Sequence, residues 1–283
     1  MSRQPDDRPP EYLILGHITR DILDSGYRLG GTAVYGAVTA KRMGARVALL
    51  TSGTEDLDLA GLEDIQILNQ PGAGTTTFTN EYTPSGRVQT LSDRAVDLDP
   101  DLLPPAWRKA KVVHLAPVAC EVPFTAGEVL PNAYLAYSLQ GWMRNWDQAG
   151  RVSPAPLPAS PVPAGLQVVA FLSIEDLGFD REELGQITSR FPTLFLTLGS
   201  QGAELHQGGS VEKIAPVPAQ EVDPTGAGDI FAAALMVAWQ IQGRPLQQAA
   251  RLASALAAAS VEGKGLLGVP SEQQIKALSE VYG

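Results

Sequence analysis

Cysteine is all but missing: Cys120 is the single one in 283 residues. One thiol excludes an intrachain disulfide and a cysteine metal cluster, and it reads as a small buried hydrophobe. Basic residues are also few. Lys and Arg number 21 against 31 Asp and Glu, for a formal charge of −10, which excludes the broad basic face that nucleic acid requires. Any phosphate must therefore be held locally, by backbone N–H groups, a few basic side chains or a metal. Long apolar runs are lacking too. The strongest, "IFAAALMVAW" (230–239), is about half of a membrane span. The opening "MSRQPDDRPPEY" is polar and proline-rich, without the apolar segment of a signal peptide, so the cytoplasm is the expected compartment. Two common phosphate fingerprints are absent. No G-x-x-x-x-G-K-[ST] occurs, "GKG" (263–265) does not complete one, and no G-x-G-x-x-G follows the first strand.

What is present is a repeating α/β pattern. "YLILG" (12–16) reads as a buried strand, "TAVYGAVTAKRMG" (32–44) as a helix closed by Gly44, and "ARVALLTSG" (45–53) as a second buried strand. Strand, helix and strand in about 40 residues make a βαβ unit and hence a parallel sheet. Further buried strands are expected at 111–118, 133–139, 166–173 and 193–200, and helices at 180–191, 229–242, 246–261 and 271–281. "TTTFTNEYTPSGRVQTL" (75–91) reads instead as an antiparallel hairpin, and the five-proline stretch 152–165 as an extended connection. The expected architecture is one α/β domain over 1–283: three layers, α/β/α, around a mainly parallel sheet, with a small β lid at 75–91.

The chemistry concentrates in "EVDPTGAGDIFAAAL" (221–235). A Gly-Ala-Gly turn running into a helix leaves N–H groups pointing one way, and the helix dipole adds positive charge there. Together they favour an anion, best a phosphate. A carboxylate beside such a site repels the anion unless it has a task. Asp229 fits the task of taking a proton from a hydroxyl while the backbone holds the phosphoryl group. It equally fits a plain first-turn acid.

The stretch "DPTGAGDIF" resembles the C-terminal signature of the ribokinase-like (PfkB) sugar kinase family. Three further stretches resemble that family in the same order, over nearly the whole chain: "LGHITRD" (15–21), "LGGTAVYGAVTAKRMG" (29–44) and "TLGSQGAEL" (197–205). The resemblance implies a ribokinase-like fold and ATP-dependent phosphotransfer to a hydroxyl of a small sugar, polyol or nucleoside. Asp229 would be the base, and Gly226, Ala227 and Gly228 the anion hole. Asp21, Gly30 and Gly31 would bind the acceptor. Tyr35, Gln140 and Arg144 would contact it as well, Tyr35 standing where the family commonly has asparagine. In "SLQGWMRNW" (138–146) Arg144 is retained from D-x-N-x-R, while Gln140 and Trp142 replace its acid and amide. Arg87 on the hairpin could close over substrate.

On the donor side the resemblance places Thr197, Gly199, Gly202, Thr225 and Ser254 near the nucleotide. An ordinary β-turn explains the two glycines as well, and helix back-bonding explains Ser254. Mg²⁺ would fall to Glu175 and Asp176 in "FLSIEDLG" (171–178), where helix capping by Ser173 is an equal reading. Asp223 with Thr225 and "VEGKG" (261–265) resembles a monovalent cation site for an ion such as K⁺; a turn before Pro224 accounts for Asp223 equally. The expected partners are a small polyhydroxy substrate and a second copy of the chain through the lid, with no nucleic acid and no membrane. The competing reading is a regulatory protein on the same fold that binds sugar or nucleotide without turnover.

Overall fold

A computed structural model describes residues 8–83, 86–178 and 181–283. In chain order its elements are β1 (Tyr12–Leu15), β2 (Thr19–Leu23), β3 (Gly26–Gly30), α1 (Thr32–Arg42), β4 (Val47–Gly53), β5 (Gln66–Pro71), β6 (Thr77–Thr83), β7 (Gly86–Asp93), β8 (Val112–Leu115), β9 (Tyr134–Ser138), β10 (Arg144–Trp146) and β11 (Val152–Pro154). There follow β12 (Gln167–Ser173), α2 (Arg181–Arg190), β13 (Thr193–Thr197), β14 (Ala203–Gln207), β15 (Ser210–Ile214), α3 (Ala227–Met236), α4 (Leu246–Ser260) and α5 (Glu272–Tyr282).

The main sheet has the order β15-β14-β13-β12-β9-β8-β1-β4-β5. All its pairings are parallel except β13–β14 and β14–β15, which are antiparallel. Strands of such a sheet are covered on both faces and read as continuous apolar runs. β1 shows why. Tyr12 and Ile14 pack on the side of α1, α3 and α4, whereas Leu13 and Leu15 join the opposite cluster around Trp107, Tyr137 and Trp142. Gly44 adopts φ +90° just past α1, the left-handed closure its position predicts.

The second sheet, β3-β2-β6-β7, contains the expected hairpin as β6 and β7. It is twice the predicted size, because residues 19–30 form a second hairpin, β2–β3, joined through the parallel β2–β6 pairing. The tip of the β6–β7 turn lies outside the described residues. Helices are fewer than the βαβ pattern implies. Between β8 and β9, and between β9 and β12, the chain crosses with short 3₁₀ turns and the β10–β11 hairpin instead. Proline and glycine interrupt both stretches, so neither sustains a helical run. Among the described residues no helix is long and apolar enough to cross a membrane.

Candidate active site

The residues singled out by sequence gather beyond the C-terminal ends of the parallel strands, where open α/β sheets bind their ligands. The centre is the start of α3. Gly226 caps it with φ +84°, a left-handed conformation that favours glycine. A side chain there would also run into the Tyr35 ring. Gly228 differs: it is exposed, and a Cβ on it would meet nothing within 4 Å, so a side chain there has room. Asp229 follows in the first turn, partly accessible. Of the three predicted anion-hole amides, Ala227 is turned inward and donates to the Pro224 carbonyl at 3.2 Å. Gly226 and Gly228 are the two whose N–H groups have no internal partner among the described residues.

The Asp229 carboxyl accepts from Thr32, at the start of α1, so two helix N-termini converge on it. Desolvation pushes its pKa up to about 6; the Thr32 hydrogen bond and the charge of Arg144 pull the other way, and Asp176 adds to the rise. A helix dipole acting alone would keep this group acidic. Partial burial outweighs the dipole, leaving a carboxylate that titrates just below neutrality, the range that suits a general base.

On the acceptor side, Asp21 is 8% exposed and faces Arg28 across the β2–β3 ladder. Thr19 donates to it at 3.2 Å. The di-glycine serves this packing directly. A Cβ on Gly30 would sit 2.7 Å from Asp21 Oδ2, and one on Gly31 2.8 Å from the His17 carbonyl. Both glycines are thus explained by close packing inside the protein as well as by an approaching polyol. Tyr35 is 1% exposed, its ring lies against Gly226, and its hydroxyl is buried without a partner. This placement corrects the expectation of an open acceptor contact: Tyr35 backs the anion loop.

Gln140 is likewise turned away from acceptor duty, donating to Asp176 Oδ1 at 2.7 Å. Arg144 donates to the Val118 carbonyl at 3.1 Å and lies over the Phe78 ring of the small sheet. Trp142 is buried against Phe124 and Tyr137, donating its indole N–H to Val122, and acts as core packing. Arg87 belongs to β7, but its side chain lies outside what is described.

On the donor side, Gly199 has φ +57° and open space around it, as a site that approaches a ligand requires. Gly202 has φ +88° and abuts the Ile214 carbonyl, so the turn into β14 requires it. Thr197 ends β13 with its hydroxyl on the Leu172 carbonyl at 3.4 Å. Ser254 donates to the Ala215 carbonyl, just past β15, at 3.4 Å. Ser173 and Asp176 form the turn anticipated as a cap: Asp176 Oδ2 accepts from the Ser173 N–H and Ser173 Oγ from the Glu175 N–H. Glu175 is exposed. Among the described residues no cluster of three or more His, Cys, Asp or Glu could hold a metal alone. Asp176 keeps free lone pairs and Glu175 is open, which suits a hydrated ion held mainly by donor phosphates.

Several supporting residues escaped the sequence reading. Glu121, fully buried, accepts the N–H groups of His17, Val118 and Ala119 at 2.7–3.0 Å, binding two loops beneath the site. His17 in turn bonds Thr76 and the Val96 carbonyl. Arg28 and Thr32 were also missed. An acid flanked by apolar residues in "VACEVPF" was the one available signal.

Solved structures superpose over almost the entire chain. A pyrophosphate-dependent kinase in the ribokinase family has a TM-score of 0.76 at 18% identity, covering 94% of this chain and 99% of its own. Arabidopsis thaliana ribokinase, solved with ribose and ATP, has a TM-score of 0.68 at 18% identity, covering 96% and 99%. The fold is therefore the ribokinase fold. Residues 173–273 match the family described as pfkB family carbohydrate kinase. Over that stretch the chain is similar to the PfkB family, and the fold is the one those structures share. Among curated relatives, inositol 3-kinase of Zea mays is 32% identical over 169 residues, 55% of this chain and 43% of that protein. The nucleoside kinase of Methanothermobacter thermautotrophicus is 27% identical over 263 residues, covering 83% and 79%. The chain thus spans less than half the length of the maize relative it matches.

Proposed function

We propose that this protein is a kinase that moves the terminal phosphoryl group of ATP onto a hydroxyl of a small polyhydroxy compound, in the cytoplasm. The observation that carries the reading is the placing of Asp229 in the first turn of α3, held by Thr32 beside the exposed Gly228, with desolvation raising its pKa to about 6. Asp21 would accept hydrogen bonds from acceptor hydroxyls and fix the sugar or polyol ring. Asp229 would take the hydroxyl proton as the acceptor oxygen bonds to phosphorus and the bond to the departing ADP breaks. The Gly226 and Gly228 amides would hold the migrating phosphoryl oxygens, an arrangement worth about 3–4 kcal/mol per donor where measured. Mg²⁺ would be held by Asp176 and Glu175 through water and would neutralise donor phosphate charge. The small sheet would act as a lid that excludes water. Ile22 and Leu23, exposed on its β2 strand, support a homodimer through that sheet.

The test is a screen of donor consumption over sugars, inositols and nucleosides, with ATP and pyrophosphate as alternative donors. The proposal expects ATP-dependent phosphorylation of at least one acceptor. Pyrophosphate as the sole donor would overturn the nucleotide part, and no transfer to any acceptor would favour a binding protein.

A further inference from the structure

A single guanidinium joins the two halves of the site. Arg28, on β3 of the small sheet, donates to Asp223 Oδ2 at 2.8 Å and to Thr225 Oγ1 at 3.4 Å, at the root of the anion loop. The same side chain holds its Nε 3.7 Å from Asp21 Oδ2. That Nε is buried without a hydrogen bond, as is the nearby Tyr35 hydroxyl. Asp223 accepts on both oxygens. Its Oδ1 takes the Thr225 N–H at 3.0 Å, and its Oδ2 takes the Gly265 N–H at 3.2 Å beside the Arg28 bond.

These contacts decide whether a monovalent cation fits between the 223–225 and 261–265 loops. An ion such as K⁺ needs oxygen donors turned inward and no resident positive charge. Here both Asp223 oxygens face N–H donors and the Arg28 guanidinium occupies the electropositive position. A bound cation would have to expel it, so the residues present do not fit one. Burial works against the Arg28 charge, but its Asp223 bond and the charges of Asp223 and Asp21 help to hold its pKa above the ordinary value.

We infer that Arg28 is a built-in cation that positions the anion loop and ties it to the acceptor carboxylate, replacing a bound monovalent ion. The inference rests on the kinase reading above. Its geometry gives it a reason to matter. The guanidinium reaches from the small sheet to the main body, so acceptor binding at Asp21 and phosphoryl binding at 226–228 share one charged link. The Cα of Arg28 sits opposite that of Asp21 in the ladder, and a Cβ placed on Gly265 would lie 3.5 Å from Arg28 Nη1.

The experiment compares the wild-type protein, Arg28→Ala and Arg28→Lys in potassium, sodium and tetramethylammonium chloride at equal ionic strength. Wild-type rates should be indifferent to the cation. Arg28→Ala should lose about tenfold or more in kcat, with far less change in donor KM. Added guanidinium or ethylguanidinium, at non-denaturing concentration, should recover much of that loss, which a merely structural role would not allow. Arg28→Lys should fall between the two. Potassium stimulation of the wild type, a wild-type kcat in Arg28→Ala, or a folded Arg28→Ala that no guanidinium rescues would each overturn the inference. If Arg28→Ala does not fold, the wild-type cation series and Arg28→Lys decide. If no acceptor is phosphorylated, the kinase reading alone has failed, and calorimetric titration of inorganic phosphate takes over. Potassium-independent phosphate binding that weakens in Arg28→Lys supports the assignment, and potassium-dependent binding refutes it.

Discussion

Replacing Asp229 by Asn should make the protein more stable and inactive at once. The carboxyl has a pKa of about 6 in the folded state, against an ordinary value of 3.8. The unfolded chain therefore releases this proton earlier as pH rises, and stability declines between about pH 4 and 6. Above pH 6 the full cost is present. The difference of about 2 pH units, at about 1.4 kcal/mol each, sets an upper bound of about 3 kcal/mol; partial exposure reduces it to about 1–2 kcal/mol. Asparagine keeps the shape and the Thr32 contact without the charge. Urea unfolding of both proteins at pH 4 and pH 8 measures the effect. Asp229→Asn should gain about 1–2 kcal/mol at pH 8 and nothing at pH 4, while its kcat falls by at least about a hundredfold. Equal stability differences at both pH values would show that desolvation does not set the proton affinity of this group.

Other outcomes follow from the same geometry. Gly228→Ala should fold with unchanged or slightly raised stability, since alanine favours a helix by up to about 1 kcal/mol, yet lose phosphoryl transfer as its methyl enters the cleft; thermal melts and rate assays separate the two. Gly226→Ala should cost at least about 1–3 kcal/mol through its φ of +84° and the Tyr35 ring, lowering the melting temperature as well as activity. Glu121→Gln sets an amide N–H₂ against backbone donors in a buried nest, and should cost about 2–4 kcal/mol in urea unfolding. The rate profile of the wild type should rise with pH through about 6 and then level, the sign expected of a base active when deprotonated.

Much of the fold was legible because parallel strands are buried on both faces. "YLIL" and "VALLTSG" can hardly be anything else, and the helices at 229–242, 246–261 and 271–281 declare themselves by alanine runs and by Pro245 and Ser271 at their starts. The β2–β3 hairpin was not legible. "TRDIL" and "GYRLG" are short, half-polar and joined by a two-residue turn, and their pairing depends on β6, some fifty residues away. In the site, Asp229 and its glycines could be read locally, since a helix N-terminus is a local object. The roles of Arg28, Glu121 and Tyr35 could not. Each arises from a contact between distant segments, and Tyr35 shows the limit: its position in the motif suggested an acceptor contact, whereas its ring supports Gly226 from behind.

The most direct test is a single-turnover phosphorus-31 measurement with the best acceptor from the screen, following the terminal phosphoryl group of ATP in the wild type, Asp229→Asn and Gly228→Ala. The account predicts transfer to the acceptor hydroxyl in the wild type, and retained ATP binding without transfer in both variants. Transfer at the wild-type rate in Asp229→Asn would contradict it.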